Sequence, residues 1–559
     1  MEAMKIRRMK IMANNTTKTE LSTALFGAAD ALRSKMDANE YKNYLLGIIF
    51  YKYLSDKMLY HVGEVLEGNP DLSLADTQKL YEENYKDDDL QEELKDTFSY
   101  IIDPHHTFTY ILDEINGYAR EDGKIKTFQI SDLADAFNDI ESSGVDADFE
   151  GLFQDVQLYS QRLGLNAQKQ ADTIANVIKA IGNLEIVKTA KDTLGDAYEY
   201  LLGQFASETG KKAGEFYTPQ EVSELLTKLT LVGKKYPEGM SVYDPTMGSG
   251  SLLLNFKKHI HDVDGKDDEI IYFGQEINVS TYNLAKMNMI LHGVEAARQK
   301  LRNGDTLDED WPPVSSTMFD AVVMNPPYSY KWSANKGFLQ DPRFAPYGVL
   351  APKSKADYAF LLHGFYHLKN TGTMAIVLPH GILFRGSAEG KIRKKLLENG
   401  SIDAVIGLPA NLFYNTGIPT VILVLKKDKD DRNVMFIDAS KEFEKDKKQN
   451  KLRKEDINKI LETYKKREDV ERYAHVATME EIEENDFNLN IPRYVDTFVP
   501  EPPVDLKKVA AELKETDDEI EKNQKELVGM LKELTSEDDD IMDGLNEMIK
   551  VLEGELHEK

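Results

Sequence analysis

The spacing of apolar residues changes along the chain, and its first part follows a helical period. In the segment 41–54 the apolar side chains fall on one face of a helix. These residues are Tyr41, Leu45, Ile48, Ile49 and Tyr53. Polar stretches at 86–89 and 121–124 interrupt similar patterns and are typical of loops. The pattern predicts a helical N-terminal domain over residues 20–190, preceded by a flexible segment at 1–19.

Residues 191–430 show a different pattern, in which short apolar runs alternate with amphipathic stretches. The runs predict strands at 241–243, 270–273, 321–324, 374–378, 402–406 and 420–425. Strands that alternate with helices are typical of a doubly wound, Rossmann-like α/β domain. We therefore predict a multidomain protein of the α and α/β classes, in which this region forms the central sheet.

The last part of the chain is charged. Residues 431–500 predict an extension with surface helices, and the prolines at 500, 502 and 503 mark a linker. In the tail, 501–559, apolar residues recur every seven positions, which is typical of a coiled-coil seam. They are Leu506, Leu513, Ile520, Leu527 and Leu534. A hairpin with a second helix at about 540–556 and a helix that docks on a partner both fit this pattern.

Composition narrows the class of protein. The chain has 559 residues, of which 41% are hydrophobic and 30% charged, and it contains no cysteine. No apolar run approaches the roughly 18 residues of a membrane span, and no apolar stretch typical of a secretory signal follows the basic N-terminus. Disulfides and thiolate metal sites are excluded, which favours the cytoplasm. The net charge of −28 is unfavourable for binding nucleic acid, so any such binding depends on a local basic patch or on a partner.

The tetrapeptide Asn325, Pro326, Pro327 and Tyr328 follows the predicted strand at 321–324. Two consecutive prolines cannot continue a strand, so they fix a rigid turn at its end. The turn presents an amide, a backbone carbonyl and an aromatic face together. Methyl transfer to a planar amine requires these groups, although a plain strand-ending turn also fits the four residues alone.

A glycine-containing loop follows the predicted strand at 241–243 and precedes a predicted helix that starts near Leu252. Its candidate binding residues are Asp244, Thr246, Gly248, Ser249 and Gly250. Glycines let the backbone approach a ligand at a helix N-terminus, where α/β sheets bind cofactors. The loop lacks the three-glycine spacing of a dinucleotide site and the lysine of a phosphate-binding loop.

Two acidic residues follow the next predicted strands. Glu276, at the end of the strand that starts at 270, is placed to accept hydrogen bonds from both hydroxyls of a ribose. Asp305 is placed to bind an adenine amine, with Leu307 packed on the ring. Each residue alone fits an ordinary strand-end or turn carboxylate. The order of glycine loop, first acid, second acid and Asn-Pro-Pro-Tyr makes coincidence improbable.

In this order of motifs the chain resembles the S-adenosylmethionine-dependent amino-methyltransferases of DNA, which carry [Asp/Asn/Ser]-Pro-Pro-[Tyr/Phe]. Residues 214–219, Gly-Glu-Phe-Tyr-Thr-Pro, resemble the segment that wraps the methionine part of the cofactor in that family. The resemblance assigns cofactor binding to Glu215, Phe216, Tyr217, Thr218, Pro219 and Gln220. The position of this segment before the glycine loop resembles the motif order of the γ-type adenine methyltransferases.

More specifically, the chain resembles the modification subunit of Type I restriction–modification systems over residues 20–500. Segments 28–38 and 488–494 are similar to the N-terminal domain and the C-terminal signature of that family. The resemblance implies N6-adenine methylation of DNA, with a separate specificity subunit that selects the site. It also implies two such chains per specificity subunit, a tail that helps assembly and a restriction subunit as a possible further partner.

The expected mechanism is direct displacement without a covalent enzyme intermediate, and no metal is expected at the site. Asn325 Oδ1 and the Pro326 carbonyl would each accept one N–H bond from the flipped base, while Tyr328 stacks on it. Three alternatives stay open at this stage. They are a self-sufficient DNA amino-methyltransferase, an enzyme that methylates protein glutamine or ribosomal RNA, and a non-catalytic assembly protein.

Overall fold

The structure is a computed structural model. It describes residues 18–121, 124–143, 149–188, 193–208, 217–308, 311–312, 318–413, 416–446, 449–497 and 505–557. The chain divides into two compact units, residues 1–496 and 497–559, and each is described by itself. Most of the predicted flexible segment, 1–17, lies outside the described residues. Among those described, no helix is both long and apolar enough to cross a membrane.

The first part of the larger unit is helical, as its periodicity predicts. Its helices are α1 (Lys18–Ala28), α2 (Asp30–Arg33), α3 (Ala38–Glu67), α4 (Leu74–Asn84), α5 (Asp88–Phe98), α6 (Phe108–Asn116), α7 (Ile130–Ser142), α8 (Ala167–Gly182) and α9 (Thr193–Glu208). The strands β1 (Arg120–Glu121) and β2 (Lys124–Ile125) form a short ribbon. The apolar face of α3 is buried at Leu45, Ile48 and Ile49, and the helix ends at Gly68 in the left-handed conformation.

Nine strands of the described residues form one sheet in the same unit. They are β3 (Met240–Asp244), β4 (Ile270–Glu276), β5 (Gln299–Asn303), β6 (Phe319–Met324), β7 (Leu368–Pro379), β8 (Ile402–Gly407), β9 (Thr420–Lys426), β10 (Val434–Asp438) and β13 (Ala474–Ala477). The short strands β11 (Glu444–Asp446) and β12 (Gln449–Lys451) pair separately. All six strands predicted from the sequence are present, which confirms the α/β interpretation.

The strand order is β13-β10-β8-β9-β7-β6-β3-β4-β5. Strands β5, β4, β3, β6 and β7 are parallel, and β9 lies antiparallel between β7 and β8. The chain leaves β3 toward β4 and β5 and then returns to β6 on the opposite side of β3. Such a reversal opens a crevice at the carboxyl ends of the strands, where α/β proteins bind ligands.

Helices cover both faces of this sheet. They are α10 (Gln220–Leu231), α11 (Ser251–His259), α12 (Val279–Leu291), α13 (Asp357–Tyr366), α14 (Ser387–Glu398), α15 (Lys454–Lys466) and α16 (Met479–Glu484). Two apolar clusters lie on the two faces, one centred on Val242 and Val323 and the other on Val322 and Met324. Consecutive residues of β6 point alternately into one cluster and the other, as expected of a strand that is buried on both faces.

Residues 431–497 contain the predicted surface helices, as α15 and α16, and also four strands that the prediction did not include, two of which join the central sheet. Strand β10 pairs parallel to β8, and β13 pairs antiparallel to β10. Val434, Met435, Phe436 and Ile437 are fully buried in consecutive positions. The charged residues that surround this short run hid it from the sequence pattern.

The smaller unit consists of α17 (Leu506–Lys532) and α18 (Asp539–His557). The two helices pack on each other, with a hydrogen bond from Gln524 Nε2 to the Leu552 carbonyl at 3.1 Å and an ion pair between Lys532 and Glu553 at 2.5 Å. The predicted coiled-coil seam, whose apolar residues recur every seven positions, does not form the contact between these two helices. Its residues Leu506, Leu513, Ile520, Leu527 and Leu534 are between 46% and 76% exposed.

Candidate functional site

A cavity of about 360 Å³ lies at the carboxyl ends of β3, β4 and β6, in the crevice that the strand order creates. Ten of the residues predicted from the sequence line it. They are Tyr217, Thr218, Asp244, Thr246, Gly248, Ser249, Glu276, Asp305, Asn325 and Pro327. The cavity thus brings together residues that lie more than a hundred positions apart in the chain.

Other predicted residues lie beside the cavity without lining it: Pro219, Gln220, Gly250, Leu307, Pro326 and Tyr328. Pro219 precedes α10, and Gln220 donates a hydrogen bond to the Tyr217 hydroxyl at 3.1 Å. Gly250 caps α11 with a positive φ of 79°. Leu307 is buried in an apolar cluster beside the cavity, and its packing on a bound ring stays a prediction. Glu215 and Phe216 lie outside the described residues.

The glycine loop is held by hydrogen bonds to two carboxylates. Asp244 Oδ1 accepts from the Thr246 amide at 2.9 Å, and Glu276 Oε2 accepts from the Gly248 amide at 3.2 Å. Gly248 has a positive φ of 53°, which a residue with a side chain rarely adopts. Gly248 lines the cavity, and a residue with a side chain at this position would strain the loop backbone.

Asp244 is a buried acid within the cavity wall, with 1% of its surface exposed. Burial raises the pKa of Asp244 to about 8, assisted by the nearby Glu276 and opposed by the hydrogen bonds from Thr246. A carboxyl group in this setting gains from a cationic partner, because the partner offsets the cost of ionising it out of water. The site thus offers a place for a positively charged group.

Glu276 and Asp305 lie at the ends of adjacent parallel strands. Glu276 Oε1 accepts from the Asn278 amide at 2.8 Å, and Asp305 Oδ1 accepts from the Leu307 amide at 2.9 Å. Each carboxylate oxygen has more than one lone pair, so both residues keep acceptor capacity toward the cavity. Polar recognition of a ligand that spans both strand ends is the chemistry that this pair supports.

Asn325 follows β6 and is 8% exposed at the cavity. Its Nδ2 donates to Thr218 Oγ1 at 2.9 Å, and its Oδ1 accepts from the Tyr328 hydroxyl at 2.8 Å. The Tyr328 ring lies edge-on to Phe413, with 6.3 Å between the ring centroids. Burial, then the charge of Asp357, raises the pKa of Tyr328, so the hydroxyl stays a donor. Tyr328 therefore covers the amide oxygen.

The turn after Tyr328 is anchored by Asp357, at the start of α13. Asp357 Oδ1 accepts from the Ser329 amide at 2.9 Å, and its Oδ2 accepts from Arg385 Nη2 at 2.8 Å. Ser329 has a positive φ of 54°, so this hydrogen bond holds an unfavourable backbone conformation. Asp357 and Arg385 together fix the direction in which the chain leaves the Asn-Pro-Pro-Tyr turn.

A buried network that sequence reasoning missed supports the Asp305 loop. Arg343, 2% exposed, donates from Nη1 to the Thr306 carbonyl at 3.0 Å and pairs with Asp341 at 2.6 Å. The same nitrogen lies 3.1 Å from His363 Nδ1, and His363 Nε2 lies 2.9 Å from the Tyr243 hydroxyl. Burial, followed by the nearby His367 and Arg343 charges, lowers the pKa of His363 well below its usual value. A neutral imidazole thus accepts from the guanidinium.

The helical region also contributes to the cavity, which the sequence did not reveal. Leu202, Phe205 and Ala206 of α9 line one wall. Phe205 is at the same time packed in the N-terminal core, with its ring 5.5 Å from that of Tyr41. Ile277, Tyr330 and Phe360 supply further apolar surface near the two acids. The only signal in the sequence was the helical spacing of Leu202, Phe205 and Ala206, which equally fits an ordinary core.

Comparisons with known proteins agree with this geometry. Residues 189–501 match the family described as N-6 DNA methylase, and residues 21–181 match the HsdM N-terminal domain. The methylase subunit of the Type I restriction enzyme MpnII from Mycoplasma pneumoniae is 36% identical over 527 residues, which cover 90% of this chain and 94% of that one. The MjaVII methylase subunit from Methanocaldococcus jannaschii is 32% identical over 533 residues, with coverages of 92% and 84%.

A solved structure is also similar. It is the crystal structure of the methyltransferase subunit of a Type I restriction–modification system from Streptococcus thermophilus. That subunit is 57% identical in sequence, and its structure superposes with a TM-score of 0.81. The match covers 86% of this chain and 100% of that one. The chain described here therefore belongs to the N-6 DNA methylase family and, within it, to the methylase subunits of Type I restriction enzymes.

Proposed function

We propose that the chain transfers a methyl group from S-adenosylmethionine to the N6 amine of adenine in DNA, as the methylation subunit of a Type I restriction–modification complex. The observation that carries the proposal is the position of Asn325. Its amide oxygen lies at the wall of a cavity that also presents Asp244, Glu276 and Asp305. An acceptor for an amine and a polar site for a nucleoside therefore share one space.

The described residues fit the cofactor. A cavity of about 360 Å³ lies in the range of small-molecule sites, and its acids stand at the ends of three strands. S-adenosylmethionine, when bound, supplies an electrophilic methyl group and carries an ammonium group. We assign Asp244 to the cationic methionine end, Glu276 to the ribose hydroxyls and Asp305 to the adenine amine. Tyr217 and Thr218 would close the methionine end together with Glu215 and Phe216.

Asn325 and Pro326 would act on the target base. The lone pair of the adenine amine is delocalised into its ring, so the amine is a poor nucleophile. Hydrogen bonds from its two N–H groups to Asn325 Oδ1 and the Pro326 carbonyl would localise that lone pair toward the methyl group. Thr218 fixes the orientation of the Asn325 amide, because its hydroxyl accepts from Nδ2 and leaves Oδ1 as the acceptor for a donor.

The Tyr328 hydroxyl donates to the Asn325 oxygen, and that oxygen keeps a second lone pair for an N–H group of the base. Tyr328 would release the oxygen only if its ring rotates to stack on the base. The base must leave the duplex to reach the site. Exchange of one donor for another costs little, and a rotated Tyr328 ring would then stack on the base. Its turn stays anchored by Asp357 meanwhile.

We assign site selection to a separate specificity subunit. The net charge of −28 disfavours tight DNA binding by the chain alone. The exposed apolar residues along α17, such as Leu513 at 61%, offer a helical surface for assembly. Two copies of this chain per specificity subunit, with a restriction subunit as a further partner, complete the proposed assembly.

The test is methyl transfer from labelled S-adenosylmethionine, with the chain alone and with the subunits that co-purify with it. The DNA is digested to nucleosides and the labelled base is identified. We expect label in N6-methyladenine only when the partners are present. Label in N4-methylcytosine, RNA or protein would overturn the substrate assignment, and transfer by the chain alone would favour a self-sufficient enzyme.

A matched pair of variants separates catalysis from binding. Asn325→Ala is expected to abolish transfer but keep cofactor binding, because its amide hydrogen-bonds to Thr218 and Tyr328 and not to the acids that we assign to the cofactor. Asn335→Ala, which removes an exposed asparagine outside the cavity, should leave both unchanged. Failure of the wild-type chain to bind S-adenosylmethionine would instead support a non-catalytic assembly role.

A further inference from the structure

A second group of polar side chains lies where α9 meets the C-terminal end of α12. Asp196 and Glu199 are three residues apart on α9 and therefore share one face of the helix. His292 caps the end of α12. One potential ligand atom from each of the three residues lies within 4.8 Å of the others. Asp196 is half-buried, whereas Glu199 and His292 are 4% and 2% exposed.

The tautomer of His292 follows from its hydrogen bond. Nδ1 lies 2.9 Å from the carbonyl oxygen of Asn288, and a carbonyl oxygen only accepts. Nδ1 is therefore the donor of this hydrogen bond, and Nε2 is the ring nitrogen that remains to bind a metal ion. A backbone hydrogen bond at one ring nitrogen is also what orients histidines that bind metal through the other.

Within the part of the chain that the structure describes, two buried atoms of this cluster have no hydrogen-bond partner, His292 Nε2 and Glu199 Oε1. The Lys258 ammonium does not pair with either of these atoms. Its Nζ lies 2.8 Å from Asp196 Oδ1 and 3.5 Å from Glu199 Oε2, which is the second oxygen of the Glu199 carboxylate. Burial lowers the pKa of Lys258, but Glu199 and Asp196 raise it more, so the lysine stays charged. Lys258 thus pairs with the carboxylates from the partly exposed side of the cluster, and Lys257 donates to the His292 backbone carbonyl. Neither ammonium reaches Glu199 Oε1 or His292 Nε2, which are the buried atoms that a bound ion would satisfy.

The backbone is shaped to admit the imidazole. A Cβ atom at Gly195 would lie 2.7 Å from the His292 ring, so only glycine fits at this position of α9. His292 also lines a cavity of about 390 Å³, together with Asp267, Asp268 and Glu295 and with the basic Lys257 and Arg298. Of the three residues in the cluster, His292 is the one that lines this cavity.

We propose that Asp196, Glu199 and His292 form a binding site for a divalent metal ion of the zinc type. One imidazole nitrogen and two carboxylate oxygens are ligands that Zn²⁺ accepts, with water at the fourth position. Ligand atoms about 2.0–2.2 Å from zinc are roughly 3.4 Å apart in a tetrahedron, so the cluster contracts modestly on binding. The site lies outside the proposed methyl-transfer chemistry and does not depend on it.

The ion would hold α9 and α12 together beside the cavity that we assign to the cofactor. Helix α9 belongs to the helical region and also carries Leu202, Phe205 and Ala206 of the cavity wall. Helix α12 contributes Thr281 and Leu284 to the same cavity. Metal binding would therefore hold both walls in place, and its loss should weaken cofactor binding as well as lower thermal stability.

The experiment uses the full chain without a histidine tag. Its metal content is measured by plasma mass spectrometry, and its thermal unfolding is followed with added ZnCl₂ and then with excess EDTA. We expect close to one zinc per chain, or a rise in Tm with zinc that EDTA reverses. No retained metal together with no change in Tm would overturn the proposal, and water or a proton would then bridge the two acceptors.

Three variants make the test specific. Glu199→Gln keeps the shape and the contact with Lys258 but removes the charge, and it should weaken zinc binding by more than about 100-fold. Lys258→Met removes the competing cation and should tighten zinc binding, whereas a purely structural role predicts only a loss of stability. His261→Gln changes an exposed histidine outside the cluster and should bind zinc like the wild type. Unaltered zinc binding in Glu199→Gln would contradict the assignment.

Discussion

Replacement of Asp244 by asparagine should remove a pH-dependent cost from the folded state. Asp244 is 1% exposed, and burial raises its pKa to about 8. In the unfolded chain the carboxyl group returns to a pKa near 3.9. Asparagine has nearly the same shape and still accepts the hydrogen bond from the Thr246 amide, but it cannot ionise. The variant therefore isolates the energetic effect of the proton.

The sign and size of the effect follow from the raised folded pKa. Below about pH 4 the carboxyl group is protonated in both states and its contribution to stability is fully present. As the pH rises toward 8, the unfolded chain gives up the proton while the folded chain retains it, so folding becomes less favourable. Each pH unit in this window costs up to about 1.4 kcal/mol. Between pH 6 and pH 8 the wild type should lose roughly 2–3 kcal/mol that Asp244→Asn does not lose.

The assay is denaturant unfolding of both proteins without cofactor at several values between pH 6 and pH 8.5. The difference between the two curves cancels the titration of groups that the substitution does not touch. The stability of Asp244→Asn relative to the wild type should increase with pH and level off above about pH 8. Cofactor should then stabilise the wild type and not the variant. Parallel stability curves for the two proteins would refute the assignment of a raised pKa to Asp244.

Further predictions concern the base, the buried network and the tail. Tyr328→Phe removes the hydroxyl that covers Asn325 Oδ1 but keeps the ring, so turnover should persist. Tyr328→Ala also removes the ring and should lower kcat/KM for DNA by about 5- to 150-fold, which corresponds to the loss of one stacking contact. Arg343→Lys cannot hold both the Thr306 carbonyl and His363, so thermal unfolding should show a lower Tm and titration a weaker cofactor affinity. Leu513→Asp changes a residue that is 61% exposed, so gel filtration should show lost assembly with unchanged folding and cofactor binding; loss of folding would argue against an assembly role.

The sequence was sufficient to predict those parts of the site in which one short segment contains both the apolar pattern of a strand and the polar residue at its end. The strands before Asp244, Glu276 and Asn325 are apolar runs, and each polar residue comes directly at or after its strand. Parallel pairing then necessarily brings those ends to one edge of the sheet. The cavity could therefore be predicted in outline without any knowledge of the packing.

Features that depend on contacts between distant segments could not be predicted in this way. Arg343 supports the Asp305 loop through the carbonyl of Thr306, a contact across 37 residues that leaves no periodic trace. The inward position of Leu307 depends on which side of the loop faces the core. The covering of Asn325 by Tyr328 is a choice of side-chain rotamer, and a motif does not specify rotamers.

The double role of Phe205 determines where this protein can be divided. Its ring packs in the N-terminal core beside Tyr41, and the same side chain lines the cavity that we assign to the cofactor. A chimera that exchanges the helical domain with that of a relative must therefore keep α9 with the sheet and match the exchanged core to it. Substitutions deep in the helical core, far from any motif, should therefore change the affinity for the cofactor, and a genetic screen for altered cofactor dependence should find them.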